Sequence, residues 1–272
     1  MKCCICGTVK NCANYLDKVF ATMEVIGKLF HQYNIILYYD HSKDATLQKL
    51  KHYKSANPLH FEYYINNEPL SLYRTHNIAK GRNKCLDVIR DKYSDYEYFI
   101  MMDCDDVCSG IFNSALFCKY LLRNDWDALS FNHPNGYYDL WALSKDPCFL
   151  GYNHFYNGAN IYMNYINAII KKTPKHALIS CFSAFNGFAI YRTQKFLNCS
   201  YSGEYNNSYI PPSFIKKNIF FAGGIVRRRY VEDCEHRKFH FQAIHENNAR
   251  IRISPLSVFA NEPKIKPRLQ LF

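Results

Sequence analysis

Apolar and polar positions follow two different periods along this chain. Between residues 14 and 33 the apolar residues recur three and four positions apart, which predicts an amphipathic helix. Residues 34–39 and 98–102 are instead short continuous apolar runs, typical of parallel strands covered on both faces. The same reading predicts further strands at 3–9, 61–65, 126–131, 183–191 and 250–254, and further helices at 45–53, 78–93, 111–124 and 232–247. Because strands and helices alternate through the first hundred residues, we expect an α/β fold with a doubly wound sheet.

The second half of the chain is less regular than the first. Residues 133–160 are rich in Asn, Gly, Pro and Tyr and predict a long loop, and such loops in a compact domain usually serve function. No repeat, low-complexity segment or linker interrupts the sequence. We therefore expect a single domain, residues 1–272, whose two parts meet near residue 110.

Composition excludes several classes of protein. No window approaches the roughly 20 consecutive apolar residues that a membrane span requires. The apolar run at the N-terminus is too short for a secretory signal, so we expect a cytoplasmic location. The 12 cysteines form no paired C-x-x-C sets. This spacing favours buried free thiols in a reducing compartment over a zinc site.

The formal net charge of +11 suits nucleic acid, an anionic membrane surface or an anionic small substrate. The basic residues are scattered, and their densest clusters are Arg227, Arg228 and Arg229 and the tail with Lys264, Lys266 and Arg268. No known nucleic-acid-binding motif accompanies them. The pattern therefore favours a small anionic substrate and no nucleic-acid partner.

Three carboxylates follow directly on the apolar run 98–102, at Asp103, Asp105 and Asp106. Clustered acids repel one another, so a cation between them is the favoured explanation. Hard carboxylate oxygens suit Mg²⁺ or Mn²⁺, which also accept phosphate oxygens as ligands. The alternative is a solvated acidic turn.

Two further segments can face the same edge of the sheet. Asp40 begins the pattern D-x-S-x-D-x-T after the strand at 34–39, where a carboxylate can bind a base or a ribose. The alternative for this segment is a helix N-cap with Asp44 in the first turn. Arg82, at the start of the predicted helix 78–93, can pair with a diphosphate, or it is an exposed helix-start arginine.

With these segments together, the chain resembles the GT-A glycosyltransferases. The resemblance covers residues 1–110 well and continues more weakly through 126–128, 137–141 and 186–187, which are similar to capsule-associated mannosyltransferases and related viral or microbial enzymes. It implies a Rossmann-like, mixed but mostly parallel sheet of seven or eight strands flanked by helices. It also implies transfer of a hexose from a UDP- or GDP-sugar to a hydroxyl acceptor such as a glycan, with Mn²⁺ or Mg²⁺.

The resemblance also implies roles for individual residues. Asp40 would contact the base, Arg82 the diphosphate, and Asp103 with Asp105 the ribose and the metal, while Asp106 would replace or support either. Thr8, near the end of the first predicted strand, is assigned to the same nucleotide-sugar site. Residues 1–110 would then bind the donor and residues 111–272 the acceptor.

The acceptor half should supply a catalytic carboxylate. Asp233 and Glu235 are the candidates, because an acid at a helix N-terminus is held ionised and can act as the base of an inverting transfer. The alternative is that both acids only cap the helix at 232–247.

Many metal-dependent members place a histidine ligand after the last strand, and this chain has none after Ser254. His236, His240 or His245 can complete the coordination instead, or the aspartates, phosphate and water suffice.

Arg227, Arg228 and Arg229 can neutralise the departing nucleotide or form a solubilising basic patch. Tyr138 and Trp141 can stack on a sugar or pack in the core.

Two other functions compete with this interpretation. A nucleotidyltransferase that makes sugar nucleotides has a glycine-rich loop after the first strand, whereas this chain has only Gly7 there. A non-catalytic module that binds glycan or nucleic acid would not need acids in both halves.

Overall fold

The computed structural model describes residues 1–151, 159–206, 208–221 and 232–260. The strands are β1 Lys2–Val9, β2 Gln32–Tyr39, β3 Phe61–Ile65, β4 Tyr98–Met102, β5 Ile111–Phe112, β6 Ala128–Phe131, β7 Ile179–Cys181, β8 Phe188–Arg192, β9 Ile251–Ser254 and β10 Phe259–Ala260. The helices are α1 Ala13–Gly27, α2 Thr46–Ala56, α3 Arg74–Lys92, α4 Ser114–Leu121, α5 Ala159–Lys172, α6 Pro212–Phe221 and α7 Glu235–Asn247.

Eight strands form one mixed sheet in the order β3-β2-β1-β4-β8-β6-β9-β7. Strands β1 to β4 are mutually parallel, whereas β8 runs antiparallel to its neighbours β4 and β6. Strands β5 and β10 pair separately. The sheet therefore contains strands from both parts of the chain.

Helices cover both faces of the sheet, which explains why β1 is apolar at successive positions. Cys4 and Cys6 of β1 face the cluster that includes Leu86 of α3 and Phe239 of α7. Their neighbour Ile5 faces the opposite cluster, formed with the buried residues of α1 and α4. The buried stripe on α1 consists of Leu16, Val19, Phe20, Met23 and Ile26, the spacing predicted for an amphipathic helix.

Several predicted boundaries are wrong. The first helix ends at Gly27 rather than at residue 33, because Gln32 already pairs with Lys2 of β1. The predicted helix 111–124 is instead β5 followed by α4, which begins where the Asn113 side chain accepts a hydrogen bond from the Leu116 amide. Helix α3 begins earlier than predicted, at Arg74.

The predicted strand at 183–191 begins only at Phe188, because Asn186 and Gly187 have φ angles of 59° and 84°. The predicted helix at 232–247 begins at Glu235.

The described part of the predicted loop 133–160 contains neither helix nor strand between residues 133 and 151, and α5 begins at Ala159. Residues 152–158 of that loop lie outside the described residues.

All 12 cysteines are free, and ten of them are buried. This confirms the expectation of free thiols. In the parts of the chain that the structure describes, no helix has the combination of length and apolar character that crossing a membrane requires.

Candidate functional site

The carboxyl ends of β2, β1 and β4 open into one cleft of about 480 Å³. The three strands are parallel neighbours, so the residues that follow them meet at one edge of the sheet. Thr8, Asp40, Asp103 and Asp105 all line this cleft, whereas Arg82 is not among its lining residues. Four of the residues predicted for the donor site are thus brought together.

Asp40 lies at one end of the cleft, directly after β2, and only 7% of it is exposed. Its Oδ1 atom accepts hydrogen bonds from the Asn66 side chain at 3.0 Å and from the His41 amide at 3.0 Å. Its Oδ2 atom lies 3.1 Å from the Lys10 ammonium group. Asn66 and Lys10 are partners that the sequence analysis did not anticipate.

Asp44, the second acid of the D-x-S-x-D-x-T pattern, holds the starts of two helices. It accepts hydrogen bonds from the Ala13 amide at 2.9 Å and from the Thr46 amide at 3.1 Å. These bonds place Asp44 in the structural role that the capping alternative describes.

Asp103 and Asp105 lie at the other end of the cleft. Asp103 accepts a hydrogen bond from Arg82 at 3.0 Å, and its side chain is 31% exposed. Asp105 accepts a hydrogen bond from the Val107 amide at 3.1 Å and so caps the short 3-10 helix Asp106–Cys108. The third acid, Asp106, lines a separate small cavity.

Both carboxylates at this end of the cleft have raised pKa values. Burial, opposed by Arg82 and reinforced by the charge of Asp105, raises the pKa of Asp103 to about 7. Burial also raises the pKa of Asp105, and the charge of Asp106 adds to that effect. A cation between the two carboxylates would relieve both effects, and hard carboxylate oxygens are the donors that Mn²⁺ and Mg²⁺ accept.

Arg82 lies in the third turn of α3 rather than at the helix start, and only 3% of it is exposed. Its guanidinium group bridges Asp103 on one side and Glu235 on the other. It also contacts His236 and stacks 4.4 Å from the centre of the Phe185 ring. Although burial opposes its charge, Glu235 and Asp103 raise the pKa of Arg82 above its ordinary value.

Arg74 occupies the position that the sequence analysis gave to Arg82. It is the first residue of α3 and lines the cleft. Its charge lowers the pKa of both Asp105 and Glu235 against the dominant effect of burial. Arg74 was not among the predicted site residues, because the helix was predicted to start at residue 78, four residues too late.

The two predicted catalytic acids have different surroundings. Asp233 is 3% exposed, and both of its oxygens accept hydrogen bonds from Nε of Arg237, at 3.1 and 2.9 Å. Glu235 is paired with Arg82 through Oε1, and burial, opposed by Arg82, raises its pKa. Arg82 thereby connects Glu235 to the acidic end of the cleft.

The sequence profile described as glycosyl transferase family 2 matches residues 4–190, about two thirds of the chain. The chain belongs to this family. Together with the eight-stranded sheet, the match confirms the predicted GT-A type fold. No curated protein matches the chain.

Solved structures similar to this family 2 member include TarS 1-349 of S. aureus, at 12% identity and a TM-score of 0.46 over 95% of this chain and 59% of that one. The mannosyltransferase PcManGT from Pyrobaculum calidifontis, in complex with GDP-Man and Mn²⁺, matches at 13% identity and a TM-score of 0.49 over 97% and 57% of the two chains. TarS 1-349 in complex with UDP-GlcNAc matches at 15% identity and a TM-score of 0.47 over 98% and 60%. The chain therefore spans less than two thirds of these proteins.

The histidines of α7 do not line the cleft of this family 2 member. His236 contacts Arg82, and burial together with the Arg82 charge lowers the pKa of His236. His240 bonds to Ser183 at 3.0 Å, and burial lowers its pKa to about 3. His245 lies beside Tyr209. Within the described ranges, no group of three or more His, Cys, Asp or Glu side chains is arranged to hold a metal.

Within the predicted loop 133–160, Tyr138 lies near Asp103 and Asp105 at the acidic end of the cleft. Tyr138 is 39% exposed, and the charges of Asp103 and Asp139 contribute to raising its pKa, after burial. Trp141 is half-buried, and its carbonyl accepts a hydrogen bond from Arg237 at 2.7 Å. Asp139, which the sequence analysis did not single out, accepts hydrogen bonds from the amides of Ala142 and Asn186.

Arg227, Arg228 and Arg229 lie outside the described residues, as do Lys264, Lys266 and Arg268. Their assigned roles stay predictions.

Proposed function

We propose that the protein is a metal-dependent glycosyltransferase that moves a hexose from a nucleotide diphosphate sugar to a hydroxyl acceptor, such as a glycan. The observation that carries this proposal is the cleft with Asp40 at one end and Asp103 and Asp105 at the other. Strands β2 and β4 flank β1, so neighbouring-strand spacing separates the two ends by about 10 Å. Membership of glycosyl transferase family 2 supports the same reaction class.

Asp103 and Asp105 are the residues that would hold Mn²⁺ or Mg²⁺. Their oxygens are hard donors, and burial, reinforced by neighbouring carboxylates, raises the pKa of both groups. When bound, the metal would offset the charge that develops on the diphosphate leaving group.

Among the residues that the structure describes, Arg74 and Lys10 are the cations that line the cleft. We assign contact with the diphosphate to Arg74 rather than to Arg82, since Arg82 is buried behind Asp103. Arg82 is then a positioning residue, because one guanidinium group fixes the relative placement of Asp103 and Glu235.

Neither candidate for the base that takes the proton of the acceptor hydroxyl lines the cleft itself, and Glu235 is the better of the two because Arg82 links it to Asp103 at the acidic end. Asp233 is held by Arg237 through both carboxylate oxygens, whereas the salt bridge of Glu235 to Arg82 uses only Oε1. A raised pKa also suits a base that works near neutral pH. Asp233 then serves to anchor the start of α7.

The test is a thermal-shift and turnover screen of nucleotide sugars, with and without Mn²⁺. Asp105→Asn should lose the metal-dependent part of the shift and at least about tenfold in turnover. Asp106→Asn is the matched control, because Asp106 belongs to the same acidic run but lines a different cavity. Equal behaviour of the two variants, or full activity of Asp105→Asn, would contradict the assignment.

A further inference from the structure

The first turn of α3 receives no cap from its own segment of the chain. Among the described residues, Tyr73 holds the N-cap position without a side-chain hydrogen bond to the helix, and no acid occupies the first turn. The first turn of a helix leaves several backbone N–H groups without intrahelical partners. Arg74 is the first residue of α3 and lines the cleft, so fraying of this turn would displace the Arg74 guanidinium group.

Glu232 supplies the missing cap from the other half of the chain. Its Oε2 atom accepts a hydrogen bond from the Thr75 hydroxyl at 2.9 Å and a longer one from the Thr75 amide at 3.4 Å. Thr75 is 1% exposed, and 157 residues separate it from Glu232 along the chain. A carboxylate at a helix N-terminus also interacts favourably with the helix dipole. Glu232 therefore does for α3 what a local Asp or Ser does for other helices.

A close approach at Gly203 brings the two segments together. The Gly203 carbonyl oxygen accepts a hydrogen bond from the Asp233 amide at 2.8 Å and lies 3.2 Å from the Thr75 hydroxyl oxygen. A Cβ at Gly203 would lie 2.4 Å from the His76 amide nitrogen, so only glycine permits this approach. The Thr75 hydroxyl has one proton, and the charged Glu232 is its nearer acceptor. Thr75 therefore donates to Glu232, while Asp233 donates to Gly203.

The segment 232–235 contacts α3 at two points. Glu232 contacts the first turn through Thr75, and Glu235 contacts the third turn through Arg82. Thr75 and Arg82 are seven residues apart, close to two full turns, so they lie on one face of the helix. The segment that leads into α7 thus holds both the rotation of α3 and its first turn.

We propose that Glu232 is a positioning residue for the donor cleft: it caps α3 and thereby holds Arg74 where the diphosphate binds. Glu232 is not among the described residues that line the cleft, so it acts through the helix. This inference rests on the proposed function, because it requires the contact of Arg74 with a diphosphate.

Hydrogen exchange tests the cap without any nucleotide. In Glu232→Ala, amide exchange over residues 74–81 should accelerate about fivefold, the change that loss of a typical cap produces in a local equilibrium. Glu232→Gln keeps an oxygen for Thr75 and should stay within about twofold of the wild type. Glu204→Ala is the matched control, because Glu204 is exposed and follows Gly203 in the same turn. Unchanged exchange in Glu232→Ala would overturn the inference.

Calorimetric titration with UDP and GDP in the presence of Mn²⁺ tests the effect on the cleft. Glu232→Ala should weaken the nucleotide that binds the wild type about fivefold, and Arg74→Met should weaken it at least about tenfold. Because Glu232 acts through Arg74, adding Glu232→Ala to Arg74→Met should change the affinity by less than about twofold. Thr75→Val removes the same contact from the helix side and should match Glu232→Ala. It replaces Glu232→Ala if the melting temperature shows that this variant does not fold.

The outcomes separate this inference from the function on which it rests. If Glu232→Ala weakens binding equally in the wild type and in Arg74→Met, the defect is a general structural one. The inference is then overturned, and the glycosyltransferase proposal stands. Full affinity in Arg74→Met would overturn the Arg74 assignment and this inference together. If neither nucleotide binds the wild type with Mn²⁺, the proposed function itself fails, and this inference with it.

Discussion

Removing the charge of Arg82 should destabilise the protein more than any single change on the exposed face of α3. Arg82→Met keeps most of the apolar stem but deletes the guanidinium group that bridges two carboxylates. Glu235 would then be left with its side chain 6% exposed and without the cation that neutralises it. An unpaired buried charge is among the costliest defects in a folded protein.

The size of the destabilisation follows from how exposed the two partners of Arg82 are, Glu235 and Asp103. Breaking a buried pair by removing one member costs about 3–5 kcal/mol, and Glu235 fits that case. The Asp103 side chain is 31% exposed, so solvent screens its charge, and losing its ion pair with Arg82 adds roughly 1 kcal/mol or less to the destabilisation. We expect a total of about 4 kcal/mol, or about 10 °C in melting temperature at roughly 2–4 °C per kcal/mol.

Urea and thermal unfolding of Arg82→Met and the wild type measure this loss. Lys84→Met is the control on the same helix, because Lys84 is exposed, and it should cost less than about 1 kcal/mol. The double variant Arg82→Met with Glu235→Gln should be more stable than Arg82→Met alone, since the orphaned charge is gone. A loss below about 1 kcal/mol for Arg82→Met would refute the reasoning, because a solvated arginine behaves that way.

The loss of stability in Arg82→Met should also depend on pH. Burial already raises the pKa of Glu235, and Arg82 opposes that effect, so the variant raises the pKa further. In the variant, the folded-state pKa of Glu235 lies above its unfolded-state value of about 4.3, so folding is coupled to protonation of Glu235 and becomes more favourable as the pH falls. Its deficit relative to the wild type should therefore shrink from pH 7 towards pH 5.

Two further substitutions test the surroundings of the site. Gly187→Ala should lower the free energy of unfolding by about 1–3 kcal/mol and weaken nucleotide binding. The reason is that φ of Gly187 is +84° and an added Cβ would lie 2.5 Å from the Tyr138 hydroxyl. An unchanged free energy of unfolding would contradict the observed backbone. Asp127→Asn should cost about 1–3 kcal/mol at pH 7, since Asp127 accepts hydrogen bonds from the Arg250 amide and Nε at 2.8 and 2.9 Å. Burial raises the pKa of Asp127, but the hydrogen bonds and charge of Arg250 outweigh it and lower that pKa below its ordinary value. The stabilisation by this ion pair is therefore present above the unfolded-state pKa of about 3.9 and is lost as the pH falls through the folded-state pKa. Wild type and Asp127→Asn should then converge in acid unfolding, and a constant difference would count against the ion pair.

The first half of the fold was predictable because its signals are local. The apolar run 98–102 and the acids after it lie within nine residues, so the strand and its polar end are visible together. The same holds for β2 and Asp40. The second half was harder, because β7 and β10 contain three and two residues and have no period to detect.

Arg82 illustrates what local signals cannot provide. The sequence places an arginine on a helix near the crevice, and that much agrees with the structure. Its burial and its pairing with Glu235 depend on a contact 153 residues away in the chain. The assignment of the diphosphate contact to Arg82 rested on a helix start that the structure places at Arg74.

The chain by itself determined the α/β class and the position of the acids at the ends of β2 and β4, because apolar runs and the polar residues that end them encode those features locally. The glycosyltransferase prediction came from the resemblance of these segments to a known family. Only the tertiary structure decided which cation faces the cleft, that Arg82 joins Asp103 to Glu235, and that Asn66 occupies one oxygen of Asp40. The physical reason is that charge, burial and hydrogen-bond saturation depend on neighbours in space, and the residues concerned are brought together by packing across the sheet rather than by spacing along the chain.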